Sequence, residues 1–186
     1  GLRVTVPVAM SPDQAARDLA PRLSALAGER APASSDGEGA RAHRAVPVVT
    51  IDGYSGSGKS TLAAALARLV NGWQVLHLDD WYPGWDGLEA GAGIARRIAA
   101  DLRAGRASSY EAWDWEHGTT GATIRVPLAP TIIEGCGAIE VEADLAVWIA
   151  DPGEEERRTR ALARDGQTYA PHWQRWADQD LGRSIH

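Results

Sequence analysis

Gly53-Tyr54-Ser55-Gly56-Ser57-Gly58-Lys59-Ser60 is the full G-x-x-x-x-G-K-[ST] phosphate-binding pattern, and the segments on either side give it the context it needs. Before it, Val46-Pro47-Val48-Val49-Thr50-Ile51 is an apolar, β-branched run ending at Asp52. After it, Ser60-Thr61-Leu62-Ala63-Ala64-Ala65-Leu66-Ala67-Arg68-Leu69-Val70 is strongly helical and stops at Asn71-Gly72. The order is strand, glycine loop, helix. Glycines let such a loop turn its N–H groups inward, and the helix N-terminus adds a partial positive charge, so a triphosphate finds donors without a basic surface.

Lys59 is the only lysine among the 19 basic residues; every other cation is Arg. A compact ammonium reaches between two phosphate oxygens where a planar guanidinium is too wide. The pattern assigns nucleotide contacts to Gly53, Ser55, Gly56, Ser57, Gly58, Lys59, Ser60 and Thr61, with Lys59 at the β- and γ-phosphates and Mg²⁺ on Ser60 or Thr61.

A chain of 186 residues with 44% hydrophobic content suits a globular fold with a sizeable core. No apolar run approaches the length of a membrane span, no charged-then-apolar leader opens it, and a single cysteine, Cys136, leaves no internal disulfide. The expected compartment is a reducing cytoplasm, with no membrane partner. A net charge of -6 argues against nucleic acid as the main partner, because such binders concentrate basic charge. Aromatic usage is uneven: no Phe, four Tyr and eight Trp, five of the Trp between positions 73 and 115. These rings either fill the core or offer a stacking platform to a planar ligand.

Along the chain, residues 1–10 carry no pattern, and Ser11-Pro12-Asp13 opens an amphipathic helix through Ala15, Leu19, Leu23 and Leu26. Residues 27–45, rich in Gly, Ala, Ser and Pro, read as a linker, so residues 1–45 are expected to be a helix and tether and residues 46–186 the nucleotide domain. A second strand, 73–78, ends in Asp79-Asp80, and helical spacing follows over 87–104. Residues 110–117 read as an irregular aromatic stretch and 123–126 as part of a hairpin. Two more strands, 131–133 and 145–149, precede a helix opened by Asp151-Pro152. Alternating strands and helices predict an α/β fold of three layers, a parallel sheet with helices on both faces, whose ligands gather at the strands' carboxyl ends.

Asp52, Asp79 and Glu134 all sit at such ends. Acids beside a phosphate loop suit phosphoryl transfer, one accepting a proton from an attacking hydroxyl and another ordering Mg²⁺. In the last helix Arg157, Arg160 and Arg164 share one face at i, i+3 and i+7, as an arginine-bearing lid over phosphates requires; i,i+4 pairing with Glu154 and Glu156 on a solvated surface is the plainer use of these charges.

Together these motifs resemble the uridine kinase-like branch of P-loop kinases, with its pantothenate kinase and phosphoribulokinase relatives, over roughly residues 46–166. Asp79-Asp80-Trp81-Tyr82 is similar to that family's D-x-F-Y, Trp113-Asp114-Trp115-Glu116-His117 to its Y-D-F-x-x-H with one residue dropped, Ile132-Ile133-Glu134-Gly135 to its apolar-E-G strand, and residues 157–165 to its R-R-x-x-R-D lid. The resemblance implies a P-loop NTPase fold and an ATP- and Mg²⁺-dependent small-molecule kinase, with a nucleoside as first acceptor. It implies Asp79 as base, Tyr82, Trp113, Trp115 and His117 as substrate contacts, Ser60 and Glu134 at the metal, and Arg160 and Arg164 among the catalytic groups. His77 matches nothing in the pattern.

The loop is also similar to that of cytidylate kinases, which leaves a nucleoside monophosphate acceptor open, although Asp79-Asp80 is a poor neighbour for a second phosphate. A guanine-reading N-K-x-D motif needs a second lysine, and there is none. A nucleotide-binding ATPase or interaction module with no acceptor remains the alternative from another class.

Overall fold

The computed structural model describes residues 2–29 and 45–165, together with Trp176, Asp178 and Gln179. In chain order the elements are β1 (Leu2–Val6), α1 (Pro12–Glu29), β2 (Val48–Asp52), α2 (Lys59–Leu69), β3 (Gln74–His77), α3 (Leu88–Arg103), β4 (Ser108–Asp114), β5 (Thr119–Val126), β6 (Thr131–Glu134), β7 (Leu145–Ile149) and α4 (Glu154–Asp165). Short 3-10 turns follow β3 at Leu78–Asp80 and β6 at Ala138–Glu140.

Five strands form one parallel sheet in the order β1-β7-β2-β6-β3, so β2, which feeds the phosphate loop, is central. All its residues are buried, and so are those of β6 beside it. That is why both read as unbroken β-branched runs and not as alternating ones. The two-residue period of a strand then sorts the core into two halves. Val48 and Ile133 pack with Leu88, Ile98 and Leu102 of α3, whereas Val49, Ile51, Ile132 and Val147 pack with Leu62 and Leu66 of α2 and Ala15, Leu19 and Leu23 of α1. Helices therefore cover both faces, as the sequence leads one to expect. Among the described residues no helix is long and apolar enough to cross a membrane.

The N-terminal segment differs from its reading. Residues 2–6, without a legible pattern, pair in register with β7 from Leu2↔Leu145 to Val6↔Ile149, and α1 packs on α2. A boundary near Val46 thus separates no independent body: the strand and helix before it belong to the same sheet and core. β1 hides from sequence reading because an edge strand buries little, with only Val6 fully covered. The Ser11 hydroxyl accepts the Gln14 N–H at 3.1 Å and caps α1 as expected. Of the proposed linker, residues 30–44 lie outside the described residues.

Residues 110–117 are not irregular either. Their first part belongs to β4, which pairs antiparallel with β5 and carries a register shift between Glu111 and Trp113. The bulge breaks the alternation that would have announced a strand, and β5 is exposed along all but its last residue.

Candidate functional site

The chain leaves β2 at Asp52 and re-enters regular structure at Lys59, and the turn between is built by its glycines. Gly56 and Gly58 take φ of 81° and 102°, a region side chains other than glycine's rarely enter. At Gly53 the obstacle is space, since a Cβ would meet the Ser57 Oγ at 2.5 Å and the Ile149 carbonyl at 3.2 Å. Lys59 is only 6% exposed, and its Nζ donates to the Tyr54 carbonyl at 3.2 Å, so the ammonium lies folded against the loop it serves.

Asp52 closes β2. Its carboxylate accepts the N–H of Gly53 at 2.6 Å, of Gly137 at 3.1 Å and of Ile139 at 2.9 Å, tying the loop to the 3-10 turn after β6. This is a positioning role, which leaves Glu134 and Asp79 as the other strand-end acids.

Glu134, the last residue of β6, is 2% exposed. One of its oxygens, Oε1, receives the Ser60 hydroxyl from the start of α2 at 3.2 Å and lies 2.6 Å from His77 Nδ1 at the end of β3. Parallel register makes this meeting unavoidable, because His77 is paired with Glu134 across β3 and β6. The hydrogen bond to Glu134 raises the His77 pKa above its usual 6.5, against desolvation, and Asp80 and Asp79 add to the rise. Burial in turn raises the Asp80 carboxyl above its ordinary 3.8, with His77 opposing. His77 is a neighbour of Glu134 that sequence reasoning did not single out. Its only signal was its place as the final strand residue before the acids.

Asp79 occupies the 3-10 turn two residues on, with its side chain exposed. Its carbonyl accepts the Trp115 indole N–H at 2.7 Å, so the β4–β5 hairpin holds the turn from above. The Trp115 ring lies 4.9 Å from that of Trp85, and Trp113 reaches over Gly84. Trp113 and Trp115, both expected as substrate contacts, are half-buried.

Two other expected substrate contacts are engaged elsewhere. Tyr82 is 1% exposed: its hydroxyl donates to the Cys136 carbonyl at 2.5 Å and its ring meets Trp176 edge-on at 4.7 Å. Burial pushes its pKa well above the usual 10.0, so it is a neutral core residue beneath the site and not a wall of it. His117 stands exposed at the hairpin turn, where its Nδ1 lies 2.7 Å from Asp114 Oδ2 and its N–H is accepted by Asp114 Oδ1. It is a turn partner. Arg160 and Arg164 belong to α4, but their side chains, with that of Arg157, lie outside the described part of the structure.

Ser60 and Glu134 offer a hydroxyl and a carboxylate 3.2 Å apart at the helix N-terminus, the hard oxygen donors that Mg²⁺ takes. The donor set fits that ion.

No protein-family model and no curated protein matches this chain. Among solved structures, a candidate fructose transport system kinase from Silicibacter sp. TM1040 is similar at 19% identity and a TM-score of 0.54, over 95% of this chain and 97% of its own. A possible uridine kinase from Bacillus stearothermophilus aligns at 19% identity and a TM-score of 0.45, over 90% of this chain and 97% of its own. The chain shares its α/β fold with the first of these.

Proposed function

We propose that this protein, built on the sheet and glycine loop of the P-loop kinase fold, transfers the γ-phosphate of ATP to a hydroxyl of a small molecule, a nucleoside of uridine or cytidine type being the first acceptor. The observation that carries the reading is the meeting of Ser60 and His77 on one oxygen of buried Glu134, beside Lys59 and two residues from exposed Asp79. A merely structural turn needs no such grouping.

In this reading the loop N–H groups and Lys59 hold the β- and γ-phosphates, and the dipole of α2 points its positive end at them. Ser60 and Glu134 would hold Mg²⁺, which when bound neutralises charge on the phosphate oxygens. His77 fixes the Glu134 carboxylate in place from the neighbouring strand. Asp79 takes the proton of the acceptor hydroxyl as its oxygen bonds to the γ-phosphorus; the bond to the β–γ bridging oxygen breaks, and ADP leaves. Trp113 and Trp115 supply apolar faces on which an acceptor base stacks, each such contact worth roughly 1–3 kcal/mol. Arg160 and Arg164 on α4 serve as lid cations. A net charge of -6 and one cysteine suit a cytoplasmic enzyme with small substrates.

The test is an acceptor screen with ATP over nucleosides, nucleoside monophosphates, sugars and pantothenate, read by mass of the phosphorylated product. Acceptor-dependent product supports the reading. ATP consumption that no acceptor raises would replace it with an ATPase or binding module.

A further inference from the structure

Asp52 and Tyr82 take hold of the same short turn from opposite sides. The turn, residues 135–139, leaves β6 directly after Glu134. From the side of the phosphate loop, the Asp52 carboxylate receives the Gly137 and Ile139 N–H groups, and the Cys136 thiol donates to the Gly53 carbonyl at 3.5 Å. From the other side the Tyr82 hydroxyl donates to the Cys136 carbonyl. Tyr82 stands three residues after Asp79, and its N–H bonds to the Leu78 carbonyl at 3.0 Å, as does that of Trp81. One turn therefore lies between the loop assigned to phosphate and the 3-10 turn that carries Asp79.

The contacts along this path are close. None of Asp52, Tyr82 and Cys136 is more than 4% exposed. A Cβ on Gly135 would lie 2.7 Å from Leu78 Cβ and 3.2 Å from the Tyr82 hydroxyl, and one on Gly137 would lie 3.0 Å from Ala92 Cβ, so the turn rests its backbone directly on the 3-10 turn and on α3. Close-packed interiors compress little and pass displacement on. We infer that residues 135–139 are a strut that fixes the spacing between the phosphate loop and Asp79, with Asp52 and Tyr82 as its positioning residues. For its purpose the inference rests on the phosphotransfer reading above. Tyr82 acts through the Cys136 carbonyl and touches neither nucleotide nor acceptor. Spacing matters here because a misplacement of about 1 Å between reacting groups costs about 10²-fold in rate.

Tyr82→Phe removes the hydroxyl and keeps the ring. The Trp115 indole N–H, bonded to the Asp79 carbonyl, reports from the far side of the strut, its ¹⁵N resonance assigned with Trp115→Phe. ATP should shift this resonance in the wild type and shift it far less in Tyr82→Phe, at ATP affinities within about threefold of each other. With the acceptor that the screen returns, single-turnover phosphotransfer in Tyr82→Phe should fall by about tenfold to a hundredfold. Asp52→Asn should lower it likewise, and the double variant should be little slower than the slower single one, because both changes cut one strut. A purely structural role would lower the melting temperature and leave both readouts in place. An indole shift of full size in Tyr82→Phe, a wild-type indole that ATP does not move, or losses that multiply in the double variant would overturn the inference and leave the kinase reading standing. An indole that responds as described in a protein that phosphorylates no acceptor would overturn the kinase reading and keep the strut. Absence of ATP binding would overturn both. Should Asp52→Asn fail to fold, the Tyr82→Phe measurements decide.

Discussion

His77 Nδ1 lies 2.6 Å from Glu134 Oε1, on two adjacent parallel strands whose register sets the residues side by side. Glu134 is nearly wholly buried, so it depends on the partners that reach it. Removing His77 leaves a buried carboxylate with one fewer donor, which costs about 1–3 kcal/mol. His77→Ala is therefore expected to lose stability in urea denaturation, and His77→Gln, which keeps a donor, to recover part of it. Equal stability of all three proteins would show that the pair holds nothing.

Lys59→Ala should weaken ATP binding and turnover together. Its Nζ donates to the Tyr54 carbonyl at 3.2 Å, and a planar fork does not reproduce a compact ammonium, so Lys59→Arg should lose binding as well despite keeping the charge. Loss of a charge-assisted contact predicts about tenfold to a hundredfold in affinity. Calorimetric titration with ATP checks it, and wild-type affinity in the Ala variant would remove Lys59 from the phosphate contacts.

Gly91 carries a packing constraint that no motif shows. A Cβ there would sit 2.2 Å from Tyr82 Cδ1, and the Tyr82 ring has no retreat, with its hydroxyl bonded to Cys136 and its edge on Trp176. Gly91→Ala should cost about 1–3 kcal/mol of overpacking. At roughly 2–4 °C per kcal/mol for a chain of this size, the melting temperature falls by several degrees. An unchanged melting curve would mean that α3 shifts freely over Tyr82.

Which parts of this were legible beforehand follows from how far each signal reaches along the chain. The loop, α2, β2, β6 and β7 are local patterns, buried runs bounded by glycine or acid, and they can be read from neighbours alone. β1 is an edge strand with one buried residue, and β4 hides its alternation behind a bulge, so both depend on pairings that sequence does not display. In the site the same division holds. Lys59 and Ser60 come from a contiguous motif, but the meeting of His77 with Glu134 is a register event between strands 57 residues apart. Tyr82 is expected as a ligand contact from the resemblance of Asp79-Asp80-Trp81-Tyr82 to D-x-F-Y, yet the chain turns inward directly after the 3-10 turn and buries Trp81 and Tyr82 under α3.

The hairpin turn gives a pH prediction whose sign is fixed by its geometry. The His117 side chain, and then its backbone N–H, hold the Asp114 carboxyl below its ordinary 3.8. A folded-state pKa below the unfolded one means that this pair's contribution is complete above pH 3.8 and fades as pH falls through the lower folded value. His117→Asn should bring the Asp114 titration back up toward 3.8, as followed by carboxyl ¹³C shifts. An Asp114 titration unmoved by that change would assign the depression to the turn backbone instead.

Asp79 is the remaining half of the proposed chemistry, and its surroundings separate positioning from proton transfer. Its side chain is exposed at the mouth of the site, while its carbonyl is held by the Trp115 indole at 2.7 Å. Asp79→Asn preserves that backbone contact and the shape of the turn, so ATP affinity should stay near wild type while phosphotransfer drops by roughly 10² to 10⁴-fold, the usual contribution of a positioned base. Trp115→Phe does the converse: it keeps the carboxylate and an aromatic face but removes the indole donor that anchors the turn. It should raise the KM for the acceptor and lower the maximal rate by less than the Asn variant does. Single-turnover rates alongside ATP titrations distinguish the two. Full phosphotransfer in Asp79→Asn would take the base role from Asp79, and Asp80, the next acid on the same turn, would then be the group to replace.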